Sequence, residues 1–371
     1  MAGAMLGAAL AHGAEPSLKA PADAWPSFRG TPALTAVSEA RVPDSPKLKW
    51  SFKTGSAIQS SAAVVKDRVY VGSTDEKVYA LSLADGSKLW EYQADGPVES
   101  SPLVLGDRLY IGTSGTNLLA LDTATGQEIW RYGIEAEVKS SPTAFPAPGG
   151  SATWLVVGGY DNLLHCVDAA TGQKQWTYET GNYVNGAPAV GDGWTAFGGC
   201  DAVVHVVGLA DGQKVKEIEA GAYIIGSAAL VDGVAYVGHY DNEFLAVDLR
   251  KGEVKWRYRD RNFPYGGSPA VTSDRVIFGG RDRRVHAVDR ATGEPVWVFG
   301  TRGRVESSPV VARNRVVVGS DDGRIYLLDL ADGREIWTFE VGQPVQASPA
   351  VVEGHLVIGA NDGVLYTFSG G

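Results

Sequence analysis

Apolar residues along the chain fall in short runs of four to six, rich in Val, Ile, Leu and Tyr. Turn segments rich in Gly, Asp, Asn and Ser separate them. Nowhere do they recur with the 3.6-residue spacing of a helix face, so the pattern predicts strands and tight turns. Residues 308–339 show the plan. Ser308-Pro309-Val310-Val311 reads as one strand, with Pro at the start, where no ladder donor is needed. Arg315-Val316-Val317-Val318, Ile325-Tyr326-Leu327-Leu328 and Glu335 to Phe339 read as three more. Ala331-Asp332-Gly333 supplies the positive-φ residue of a tight hairpin.

This four-strand unit repeats. The segment from Ala80 to Trp90, ALSLADGSKLW, returns as ALDTATGQEIW, CVDAATGQKQW, AVDLRKGEVKW, AVDRATGEPVW and LLDLADGREIW. These copies end at Trp130, Trp176, Trp256, Trp297 and Trp337. Counting from Trp50, and with Lys216 in one Trp position, the spacings are 40, 40, 46, 40, 40, 41 and 40. The insertion is the loop Pro146–Ser151. Ser-Ser-Pro or a close variant opens the units, as at Ser100-Ser101-Pro102 and Ser307-Ser308-Pro309. A Gly ends the second strand of every unit, from Gly72 to Gly359, and an Asp-containing turn follows in seven of the eight.

Four-stranded units of about forty residues predict a β-propeller. The last unit has three strands, ending in Val364 to Phe368, whereas Lys47 to Phe52 is a fourth strand with no blade before it. Pairing of these two would close an all-β ring of eight antiparallel blades over residues 47–371 and leave no free edge. Residues 15–46 then form an extended lead-in, with Trp25 and Phe28 as aromatic anchors and Thr31 to Pro46 as a connector. Residues 1–14, with the apolar run Ala2–Ala11 and small residues before Glu15, read as a truncated signal peptide, which implies export.

The Ala-x-Asp-x-x-Thr-Gly-x-x-x-Trp pattern resembles the tryptophan-docking motif of the pyrroloquinoline quinone (PQQ)-like β-propeller repeat family. The BamB-type outer-membrane assembly scaffolds are the nearest functional likeness. That resemblance implies an exported, non-enzymatic protein-interaction scaffold with outer-membrane assembly machinery as partner. It also implies structural docking roles between blades for Trp50, Trp90, Trp130, Trp176, Trp256, Trp297 and Trp337, with Lys216 making the loosest joint. The same repeat serves PQQ-dependent dehydrogenases, which add calcium and a vicinal Cys pair. Cys166 and Cys200 are not adjacent, so a quinone enzyme is the alternative rather than the first reading. A ligand-sensing module is a third.

Composition narrows this further. A net charge of −10 argues against nucleic acid as partner. Past the first residues no apolar run is long enough for a transmembrane helix. A monomeric ring is expected. No catalytic or metal-binding set is evident. His165, His205 and His286 share one third-strand position with Tyr79, Tyr326 and Tyr366, which reads as packing. Asp321-Asp322-Gly323 lacks the rest of a calcium loop. One asymmetry does stand out. Loops on one face of units three to six gather Tyr160, Asn182, Tyr183, Asn185, Tyr223, Tyr240, Tyr265, Arg281 and Arg283. Tyrosine with arginine is the composition of interaction hot spots, so this sector is the candidate interaction face.

Overall fold

The computed structural model describes residues 18–370. The predicted signal segment lies outside the described residues. Eight antiparallel sheets form eight blades around an axis. Blade 1 is Ala63–Val65, Arg68–Ser73, Lys77–Ser82 and Lys88–Gln93, running from the axis outward. Blade 8 takes Ala350–Val352, His355–Gly359 and Val364–Ser369, and Lys47–Lys53 pairs with Val364–Ser369 as its outer strand. The ring closes through the N-terminal strand, as expected.

Each repeated residue has a packing reason. A side chain on the Gly that ends each second strand would strike the next blade: Val98 beside Gly72, Val138 beside Gly112, Val345 beside Gly319. In every blade the outer strand pair carries a bulge beside the Trp position. There the indole reaches the following blade and lies on its turn Gly, Trp50 on Gly86 and Trp90 on Gly126. Trp50, Trp90, Trp130, Trp176, Trp256 and Trp297 each donate Nε1–H to a carbonyl of that turn at 3.0–3.2 Å. Trp337 differs. Blade 8 is closed by the N-terminal strand and offers no such turn, so Trp337 meets Phe368 edge-on at 5.3 Å. Lys216 copies the Trp contacts with other atoms. Its stem lies near Gly252 and its ammonium donates to the Arg250 carbonyl. Cys166 faces Trp176 across the bulged pair, where other units have Ala or Val. It is buried, and burial pushes its thiol pKa up.

The lead-in is not an extended connector. It runs inside the ring along the inner strands. Ala24–Trp25 adds to blade 1 antiparallel, and Val37–Ser38 adds to blade 7 in parallel. Between them the chain turns tightly, with Arg29, Gly30, Leu34 and Ala36 at positive φ. Inner-strand amides donate to its carbonyls almost all the way round: Val104 to Pro26, Val190 to Pro32, Leu230 to Ala33, Val271 to Thr35, Val311 to Ala36 and Glu353 to Ala22. In seven blades at least one amide at the inner edge is thereby paired, so fewer free donors face the axis.

Candidate functional site

The lead-in enters the axis where first strands end and second strands begin. At its deepest point Arg29 is 1% exposed. Its guanidinium donates to the carbonyls of Ser308 (3.0 Å), Pro269 (2.8 Å) and Pro309 (2.5 Å). Burial pushes its pKa down to about 9, so it stays charged at neutral pH. Phe28 beside it floors a cavity of about 190 Å3 that opens to the opposite face.

All eight blades line that mouth, through the residues that start their first strands. The Ser-Ser-Pro signature is now explained. The second Ser of each unit accepts from the backbone N–H of the unit before. Ser61 N donates to Ser101, Ser101 to Ser141, Ala187 to Ser227, Ser227 to Ser268, Ser268 to Ser308, Ser308 to Ser348 and Ser348 to Ser61, at 2.7–3.3 Å. The ring is interrupted only where Ser141 meets Ala187, which has no hydroxyl. The first Ser ties its own blade to the next: Ser100 accepts from Gly112 N and donates to the Ser140 carbonyl. Units four and five have Gly186 and Gly226 there, and a side chain on either would press on the following blade's backbone. Above this ring stand Gln59, Glu99, Lys139, Asn185, Glu306 and Gln346. Lys139 is paired with Glu99 and Glu137 at 3.3 Å, and Glu306 with Arg281 at 2.7 Å.

Most of the predicted interaction residues stand on one side of this mouth, in the blade 3–6 sector, as two clusters. Tyr160 and Tyr183 stack at 4.8 Å, Lys139 lies over Tyr160, and the Tyr160 hydroxyl donates to Asn185 at 2.5 Å. Half-buried Asn182 caps the Tyr183 amide. In the second cluster Arg281 lies over Tyr240 and donates to its hydroxyl at 2.8 Å. Tyr223, 57% exposed, stands between them, its carbonyl accepting from Tyr240 N. Arg283 is exposed, and its carbonyl receives Thr301.

Tyr265 departs from the expectation. It is 1% exposed because it takes the inward position that Ile or Val fills in other units, against Gly238. Burial pushes its phenol up to about 12. The exposed aromatic of that loop is Phe263, which the sequence reading passed over. The 41-residue spacing, one longer than its neighbours, was the available signal.

The third-strand ring position does more than pack. In blades 3, 4 and 6 the His Nε2 bonds the turn Asp and Nδ1 bonds a Tyr of the preceding outer strand: Tyr132–His165–Asp161, Tyr178–His205–Asp201 and Tyr258–His286–Asp282. In blades 1, 7 and 8 Tyr79, Tyr326 and Tyr366 donate to the turn Asp directly, at 2.6–2.7 Å. The preceding strand then has Phe52, Phe299 or Phe339. A ring nitrogen calls for a hydroxyl next door, and a phenol does not.

The axial mouth is small and its charge is balanced. Small-molecule pockets start at about 300 Å3, and this one is smaller. Its lining cation, Lys139, is already neutralised by two glutamates. Among the described residues no helix is long and apolar enough to cross a membrane.

The family profile described as "Outer membrane protein assembly factor BamB" matches residues 36–147, 125–298 and 281–371. Among solved structures, BamB from Moraxella catarrhalis is similar with 21% identity and a TM-score of 0.73, over 88% of this chain and 100% of that one. A quinohemoprotein alcohol dehydrogenase from Comamonas testosteroni gives 15% identity and 0.74, over 94% and 80%. A europium-containing methanol dehydrogenase gives 13% and 0.76, over 94% and 98%. At these identities the likeness is one of fold. No curated protein sequence matches the chain.

Proposed function

Because the chain belongs to the family described as outer membrane protein assembly factor BamB, we propose that it is an exported, non-enzymatic scaffold. Its working surface is the aromatic rim around the axial mouth, and its partner is a protein of outer-membrane assembly. The observation that carries this reading is the arc of Tyr183, Tyr223, Tyr240 and Phe263, each at least 39% exposed and mounted on blade loops. Large rigid aromatics beside Arg and Asn lose little entropy on binding and anchor protein interfaces. The quinoprotein alternative is disfavoured by the small, charge-neutralised mouth and by the chain's own segment filling the axis behind it.

The test is binding of purified outer-membrane assembly proteins to wild type and to the Tyr183→Ala, Tyr223→Ala, Tyr240→Ala triple variant. Loss of binding with an unchanged melting temperature supports the scaffold. Equal binding dismisses this face. A quinone chromophore retained after mixing with PQQ and calcium, with dye-linked alcohol oxidation, would overturn the non-enzymatic reading.

A further inference from the structure

We propose that Asp260, Asp282 and His286 form a binding site for a divalent transition-metal ion of the Zn2+ or Mn2+ type, on the rim between blades 5 and 6. The site rests on a departure from the repeat. In five other blades the turn Asp is held by backbone donors. Asp75, Asp161, Asp201, Asp322 and Asp362 each accept from the amide two residues on, at 2.9–3.3 Å. Asp75, Asp201 and Asp322 also accept from Gly55, Gly181 and Arg302 of the preceding loop. Asp282 has the most buried carboxylate of the His-paired turns, 1% exposed, yet among the described residues its donor is His286 Nε2 alone, at 3.1 and 3.3 Å. A buried carboxylate with so few donors is costly unless a cation or proton joins it.

The cause is the loop with the extra residue. It carries Asp260 where units three and four have Ile134 and Thr180, and it turns the Asp260 amide onto the Tyr265 hydroxyl at 3.2 Å. Donor atoms of Asp260, Asp282 and His286 thereby lie within 4.8 Å of one another. Arg284 takes Oδ2 of Asp260 at 2.7 Å, and among the described residues no hydrogen-bond donor meets Oδ1. Two carboxylates thus face one arginine and a histidine, which leaves a negative charge to compensate. Tyr258 holds His286 through Nδ1 at 3.0 Å, the outer contact that aims an imidazole at a metal. Its hydroxyl can equally accept Nδ1–H, which frees the Nε2 lone pair. Metal–ligand distances of about 2.0–2.2 Å require the three groups to close up slightly on the ion. One nitrogen and two oxygens favour Zn2+ or Mn2+ over the all-oxygen preference of Ca2+ and Mg2+. The ion would pin the Phe263 loop to the turn that carries Arg281.

The experiment is calorimetric titration of the chelator-treated full chain with ZnCl2 and with MnCl2, alongside melting curves. Wild type is expected to show one saturable site and a melting temperature raised by the metal. Asp260→Asn, a substitution at an exposed residue that leaves the fold intact, should weaken binding at least tenfold. His165→Gln, in a blade without the third ligand, should not change it. No saturable site in wild type would overturn the proposal. Equal affinity in Asp260→Asn would overturn it too.

Discussion

Arg29 and the His–Tyr pairs show how much single residues decide here. Replacing Arg29 by Ala would leave three buried carbonyls short of a donor. The expected cost is about 3 kcal/mol or more, since each of the three lost buried partners costs about 1–3 kcal/mol, and thermal melting reads it. His165 makes a sharper test. Burial lowers its pKa below the ordinary histidine value despite the neighbouring Asp161. The unfolded chain therefore takes up that proton first. The contribution of neutral His165 is complete above the unfolded pKa of about 6.5 and is lost as pH falls through the lower folded value. Exchanging the pair, Tyr132→Phe with His165→Tyr, installs the Phe–Tyr arrangement of blades 1, 7 and 8. The double variant should melt close to wild type at pH 7 and lose less on acidification. Tyr132→Phe alone should cost about 1 kcal/mol. Equal losses for single and double variants would refute the coupling. The sequence shows that His and Tyr alternate at this position. It does not show the partner, because the residue that decides between them sits on another blade.

At the level of strands and turns, the repeat made most of the molecule readable. Gly72 and its seven equivalents, the turn Asp and the Ser-Ser-Pro starts recur because each meets an equivalent neighbour in blade after blade. What recurrence cannot reveal is an exception with a private reason. Trp337 matches the motif yet lacks its turn, and Tyr265 looks like a face residue yet replaces a core Val. Lys216 breaks the motif yet occupies its slot. Lys216→Trp should lay an indole on Gly252 and keep an N–H donor to the Arg250 carbonyl, now from Nε1. The gain expected from the added apolar burial is about 1–2 kcal/mol, seen as a melting temperature higher by a few degrees. No rise would mean that blades 4 and 5 are spaced for lysine. Trp256→Lys, the reverse change one blade on, should lower it.

For the whole ring, residues 18–53 do two separable jobs. Lys47–Lys53 completes blade 8, and the segment before it pairs the inner edges. Removing residues 1–46 should leave a folded ring whose amides at Val190, Leu230, Val271 and Val311 exchange hydrogen much faster, since their acceptors are gone. Removing residues 1–53 should also expose the edge of Val364–Ser369 and give aggregation. A soluble protein with a sharp melt from the second deletion would refute the closure. Ring closure was legible from the missing fourth strand. The filled axis was not, since Pro26 to Ala36 uses backbone carbonyls that any residue carries, and lone Arg29 looks like a surface charge. The shared closing strand also sets a clock. The ribosome makes residues 47–53 long before their partner, residues 364–369. At about 5–20 residues per second, the early strand waits on the order of tens of seconds with its edge unpaired. Until the final blade emerges the nascent chain is an open arc, vulnerable to proteases and dependent on whatever shields it along the way.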